Sequence, residues 1–208
     1  MAKIEYFYAS YSAFAYLGSR RFMEIAEAAG AEVVHKPFDL LVALKASGMV
    51  DFSLRTDKYK KYHFKREIDR WAEYRNAPVL GFRPTHHDNS LDLSNGMLIA
   101  GLEQGQDIAE LAHAMMESHW RDDTDLADRE TLATLATGVG LDPEPLLEAA
   151  LSDPVQAIYK ANTQEAIDRS VFGSPTYFVD GDMFYGQDHL ELVERALQKP
   201  FAGDWPIA

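Results

Sequence analysis

Ser174-Pro175-Thr176-Tyr177-Phe178-Val179-Asp180-Gly181-Asp182-Met183-Phe184-Tyr185-Gly186-Gln187-Asp188 is the stretch on which the fold turns. Residues 176–179 (TYFV) and 183–185 (MFY) are short apolar runs on either side of Asp180-Gly181-Asp182. An Asp-Gly between two such runs predicts a tight β-hairpin. The 11 residues after Asp188, HLELVERALQK, carry apolar side chains at helical spacing, so the hairpin leads into a closing helix. At the other end of the chain, residues 3–8 (KIEYFY) read as a strand rich in aromatic and β-branched residues. From Ala13 the spacing of Phe14, Leu17, Phe22, Ile25 and Ala26 becomes helical, until Gly30 stops it. Residues 31–38 (AEVVHKPF) form a second strand with Pro37 at its end. Strand, helix, strand predicts a parallel pairing in an α/β sheet.

Between these ends, residues 40–164 carry little strand signal. DIAELAHAMMESHW, DRETLATLATGVG and DPEPLLEAALSD are amphipathic runs with acidic starts and Gly or Asp stops, and Asp128 and Asp142 stand where helix caps belong. Residues 78–90 (PVLGFRPTHHDNS) have the Pro, Gly, Asn and Asp density of a loop. The pattern is an α/β, thioredoxin-like fold interrupted by an all-helical insertion, with residues 1–40 and 165–208 forming the thioredoxin-like part and 41–164 the insertion.

The bulk numbers narrow the function. The chain has 208 residues, 47% of them hydrophobic, enough for one substantial core. A formal net charge of −13 disfavours an electrostatic grip on nucleic acid or an anionic membrane. No run reaches the roughly 18–20 apolar residues of a bilayer span, and the first residues lack the zones of a signal peptide, so the expected compartment is the cytoplasm. There is no cysteine. A disulfide cycle, a cysteine nucleophile and a thiolate metal site are excluded, and any sulfur chemistry must come from a thiol that binds from outside.

Taken residue by residue, several positions carry two readings. Ser12 before an apolar helix is an ordinary N-cap, or a hydroxyl presented where unpaired backbone N–H groups favour an anion. Ser174-Pro175 opens an edge strand as a trans pair, or forms a cis loop. Asp188 is a helix cap, or a free carboxylate beside the turn that Gly186 permits. Lys45 and Arg55 are solvated charges or partners for an acidic ligand. Adjacent His86 and His87 point in different directions and have no third ligand in view, so no metal site is expected. His86 remains a residue of the loop near a substrate. Trp71, Tyr74 and Trp120 are expected to pack the insertion.

Two segments decide between these readings by resemblance. Ser12-Ala13-Phe14-Ala15-Tyr16-Leu17 resembles the Ser-Pro-Tyr/Phe-Ser/Ala-Tyr-Leu motif of the 2-hydroxychromene-2-carboxylate isomerases and the related kappa-class glutathione transferases. The stretch from Val171 to Asp188 is similar to the same family's VFGVPTF, VDG, MF and WGQDRL segments. Weaker similarity appears at residues 162–166 (NTQEA) and 44–48 (LKASG), so it spans nearly the whole chain. The departures are Ala13 for the usual Pro, Ala9-Ser10 for Asp-Phe and Ser174 for Val. The family belongs to the DsbA-like branch of thioredoxin folds.

The resemblance implies glutathione as cofactor. Ser12 would donate a hydrogen bond to the bound thiolate, and the backbone of Ser174, before cis Pro175, would pair with the cysteinyl unit. Tyr185, Gly186, Gln187 and Asp188 would hold the γ-glutamyl end. Lys45 would bind the small aromatic keto-acid substrate; beside the resemblance, Arg55 is a weaker candidate for the same part and His86 a residue of the loop near it. The implied activity is isomerisation by reversible addition of the thiolate to an unsaturated carbon, in a homodimer. The rivals are a kappa-like glutathione transferase, which consumes glutathione, and a non-catalytic thioredoxin-fold binding protein, which has no affinity for it.

Overall fold

The computed structural model describes residues 2–48, 54–203 and 205–206. Strand β1 (Lys3–Tyr8) leads into helix α1 (Ala13–Ala29), which Ser12 caps by accepting the Ala15 N–H at 3.3 Å. Gly30 ends α1 in the left-handed region at φ 59°, its N–H returning to Ala26 and Glu27. Strand β2 (Glu32–Pro37) then runs parallel to β1, in register from Lys3↔Glu32 to Tyr8↔Pro37. Strands β3 (Thr176–Val179) and β4 (Asp182–Tyr185) form the hairpin expected from the sequence. Asp180 (φ 50°) and Gly181 (φ 87°) are its two loop residues, both at the positive φ that a type I′ turn demands. Strand β3 pairs antiparallel with β1, so the sheet has the order β2-β1-β3-β4.

Side chains alternate across this sheet. Ile4, Tyr6, Tyr8, Tyr177 and Val179 enter one cluster with Phe22 and Ile25 of α1 and Val193 of α10 (Leu190–Gln198). Phe7 and Phe178 enter the other, against Ala43 of α2 (Leu40–Ala46) and Ala166 of α9 (Asp153–Asp168). The sheet is therefore covered on both faces.

The middle of the chain is helical, as read from the sequence: α3 (Asp57–Lys61), a π-helical turn (Tyr62–Arg66), α4 (Glu67–Arg75), α5 (Asp92–Glu103), α6 (Ala109–Asp122), α7 (Arg129–Gly138) and α8 (Pro143–Ala150). Asp128 and Asp142 cap α7 and α8. Residues 78–90 form no regular element, but the loop is tied down: Tyr16 Oη donates to the Pro78 carbonyl and the Leu80 N–H to that of Trp120.

The junction expected at residues 164/165 lies inside α9. The first half of that helix packs Val155 and Tyr159 against Ile99 and Ala100 of α5. Its second half brings Ala166 under the sheet, while Asn162 Nδ2 donates to the Pro37 carbonyl. The same helix serves both regions, because an amphipathic helix can bury different neighbours at its two ends.

Candidate active site

The end of β1, the start of α1, the β3 entry and the β4 exit converge at one corner of the fold. The Ser174-Pro175 bond is cis. Ser12, only 7% exposed, donates its hydroxyl to the Ser174 carbonyl at 3.0 Å while accepting the Ala15 N–H. Its Oγ is thus both the cap of α1 and the tie to the proline loop. Ser174 Oγ in turn accepts the Ala9 N–H at 3.1 Å. Behind it, Ser10 Oγ meets Ser94 Oγ at 2.8 Å, and the Ser10 N–H donates to Asn95 Oδ1, whose Nδ2 donates to Tyr159 Oη. Two positions where this chain departs from the motif it resembles, Ser10 and Ser174, are therefore both used in buried hydrogen bonds, in two groups that adjoin through the Ala9–Ser10 peptide. The first turn of α1 adds the N–H groups of Ala13 and Phe14, which have no acceptor within the helix.

The Gly186 N–H donates to the Pro175 carbonyl at 2.9 Å, tying the β4 exit to the same loop. Gly186 sits at φ 93°, and Gln187–His189 form a 3-10 turn before α10. The Asp188 side chain is 55% exposed, 3.7 Å from His189 Nδ1, and does not cap α10, so the helix-cap reading fails. Gln187 is 1% exposed and lies so close to α1 that a Cβ on Gly18 would stand 2.5 Å from its own Cβ. Its Oε1 lies 3.5 Å from Arg75 Nη2. The Tyr185 ring covers Gly173 and packs edge-on to Phe172 at 4.9 Å. Burial pushes its phenol above the ordinary value.

The sequence-read positions divide accordingly. Ser12, Ser174, Pro175 and the run from Tyr185 to Asp188 share this corner. Arg55 lies beside it: its Nη1 donates to Tyr59 Oη at 3.2 Å, and its charge is felt at Tyr185. Lys45 is exposed on α2, and among the described residues no hydrogen bond joins it to Ser12. His86 turns away toward Asp125, at 3.6 Å. Its neighbour His87 packs on Tyr11, with ring centroids 4.5 Å apart, and meets His119 Nε2 through Nδ1 at 2.9 Å. His119 Nδ1 donates to the Thr124 carbonyl, so its Nε2 is the acceptor and His87 Nδ1 carries the proton. Burial and the neighbouring imidazole lower His87 to about 3, leaving it neutral.

Trp120 packs as expected, donating Nε1–H to the Tyr11 carbonyl at 2.7 Å, and Trp71 is partly buried. Tyr74 stays out of the core: it is 73% exposed, with its ring edge-on to Trp71 at 5.6 Å. Sequence reasoning missed His63, half-buried on the π-helical turn against Phe14 at 5.0 Å. It lies in the charged run KYHFKRE, which carries no motif.

Comparison with known proteins places this geometry. A family model described as a DsbA-like thioredoxin domain matches residues 3–198. A 2-hydroxychromene-2-carboxylate isomerase from Sphingobium xenophagum is 29% identical over 195 residues, 93% of this chain and 97% of that protein. One from Pseudomonas putida is 27% identical over 93% of each. Among solved structures, a 2-hydroxychromene-2-carboxylate isomerase superimposes with a TM-score of 0.78, 23% identity and 95% of each chain covered. With its sheet order, its cis-proline loop facing the start of α1 and its helical insertion, the chain belongs to the DsbA-like thioredoxin domain family.

Proposed function

We propose that this protein is a glutathione-dependent isomerase of the 2-hydroxychromene-2-carboxylate isomerase kind, acting on a conjugated aromatic keto acid. The observation that carries the reading is the Ser12–Ser174 pair in a chain without cysteine: the anion-favouring start of α1 is kept where the sulfurs of a Cys-x-x-Cys would stand. The names and near-complete coverage of the curated relatives support the same reaction.

The residues present fit glutathione. Ser12 Oγ and the Ser174 carbonyl form a donor–acceptor pair at the site, and Asp188 offers an exposed carboxylate to an ammonium group. Bound there, glutathione would supply a thiolate that adds reversibly to an unsaturated carbon and leaves once the weakened bond has rotated.

The chain's own part follows from its hydrogen bonds. In this structure the Ser12 proton is spent on the Ser174 carbonyl. To stabilise a sulfur anion the hydroxyl must swing from that carbonyl to the ligand. The carbonyl is then free to accept a peptide N–H in the manner of an added strand. One rotation thus serves both contacts, and the Ser12 Oγ lone pair on the Ala15 N–H holds the oxygen in place while it happens. The helix start lowers the pKa of a thiol beside it, favouring the reactive form near neutral pH.

Calorimetric titration of glutathione, followed by incubation with 2-hydroxychromene-2-carboxylate, tests the reading. Saturable uptake at millimolar concentration and isomer formation with total glutathione unchanged are expected. Stoichiometric loss of glutathione would make the protein a transferase, and no uptake would remove the cofactor on which the mechanism depends.

A further inference from the structure

Helix α3, the π-helical turn and α4 follow one another without interruption, and the Glu67 N–H bonds back to the Tyr62 carbonyl, five residues earlier. Such widened turns are rare in helices and concentrate at functional sites, because they re-aim side chains that a regular α-helix would send elsewhere. The side chain re-aimed here is His63. Its ring lies between two others: stacked on Tyr59 at 5.4 Å and 26°, and against Phe14, two residues after Ser12, at 5.0 Å. Phe64 meets it edge-on at 4.6 Å. The Arg55 guanidinium sits 5.2 Å from the Tyr59 ring centroid and donates to the phenol oxygen. Arg55, Tyr59, His63 and Phe14 therefore form one ladder running from a cation to the first turn of α1. Leu54, Tyr59, Tyr62 and Phe64 are all exposed apolar side chains, packed into this short segment beside the site.

Resting on the functional reading above, we propose that His63 is a positioning residue for the acidic substrate. As the middle rung, it fixes Arg55, which pairs with the substrate carboxylate, at a set distance from the thiol subsite at the start of α1. Charge–carboxylate pairing alone is weak in water, so a guanidinium held by stacking gains in directional precision what it lacks in strength. An imidazole fills the rung because it is flat and small enough to sit between two rings. Phe shares that shape, whereas Ala leaves a gap. The titratable and charged groups around His63 are Arg55, Glu67 and Asp188; the rung works by shape and does not depend on its charge.

The test compares His63→Ala, His63→Phe, Arg55→Gln and the double variant His63→Ala/Arg55→Gln. The readouts are KM for the chromene acid, KM for glutathione, and direct calorimetric binding of cinnamate, an unreactive aromatic acid. His63→Ala should raise the acid's KM and the cinnamate Kd about tenfold, the worth of two aromatic contacts. It should leave the KM for glutathione unchanged, and His63→Phe should restore the acid's KM to within about twofold. In the Arg55→Gln background, His63→Ala should add less than about twofold, since both changes break one unit. Additive effects, failure of Phe to rescue, or unchanged cinnamate binding would each overturn the ladder; unchanged binding is also the result if the apolar segment is covered by a second copy of the chain. A wild type that binds cinnamate in a His63-dependent way but takes up no glutathione would sink the thiol reading and leave the ladder standing.

Discussion

At the scale of single residues, the site turns on one hydroxyl with two duties. Ser12 Oγ caps α1 and reaches the proline loop, so its removal touches stability and chemistry by separate routes. Losing the cap contact costs about 0.5–2 kcal/mol of stability. Losing a hydrogen bond to an anion costs about 1.5–3 kcal/mol, roughly 10–100-fold in rate. In the proposed mechanism Ser12→Ala should therefore lower turnover by about that factor and weaken glutathione binding by less than about threefold, since the contacts proposed for Ser174 and Asp188 remain. Steady-state kinetics set beside calorimetry measures the two, and an unchanged rate at pH 7 would remove Ser12 from the mechanism. Asp188→Asn removes the exposed carboxylate proposed to meet an ammonium group, worth about 0.2–1 kcal/mol, so glutathione Kd should rise by roughly 1.4- to fivefold with turnover at saturation unaffected. A larger loss of turnover than of binding would contradict the place given to Asp188.

At the scale of elements, what was legible in the sequence is what local rules govern. The bounds of β1 and β3, the cap at Ser12, the stop at Gly30 and the Asp180-Gly181 turn each depend on a few adjacent residues, and the structure has them as read. What escaped depends on contacts distant along the chain. Nothing near His86 or His87 says which ring will face Tyr11, because that is decided by His119, over thirty residues away. His63 was invisible for a related reason: Phe14, the ring it meets, stands nearly fifty residues earlier in the chain. Tyr74 shows the reverse error, an aromatic at helical spacing that nevertheless faces water.

Close approach between helices was equally unreadable. A Cβ on Gly96 of α5 would stand 2.2 Å from the Ala150 carbonyl oxygen at the end of α8, a backbone atom that cannot step aside. Gly96→Ala should cost about 1–3 kcal/mol, several degrees in Tm, by forcing those helices apart. A thermal melt at or above that of the wild type would mean that the contact relaxes freely.

At the scale of the whole molecule, acid acts on the fold through its buried histidines. His35 is lowered to about 4 and His87 to about 3, and burial also lowers His63, His113 and His119. Unfolded, each would take a proton near pH 6.5. As pH falls through that value the unfolded chain gains protons that the folded one refuses, so stability declines from about pH 6.5 down to the folded values and then levels. The lowered carboxylates Glu67, Asp88, Asp123, Asp128 and Glu165 add their own loss only below about pH 4.5. The fall in Tm between about pH 6.5 and 4.5 therefore belongs to the histidines, and His35→Gln should make it shallower. A Tm independent of pH across that window would show that the imidazoles are not held neutral.

Helix α9 bears on how such a molecule can open. It is an unbroken strut, with one end in the insertion and the other beneath the sheet, and it denies the insertion the free swivel that a flexible tether would allow. A ligand that enters the corner site therefore does so with both clusters held on one helix. Grafting an insertion from a relative would have to splice a helix mid-length, in phase, or lose the alignment of everything that α9 carries.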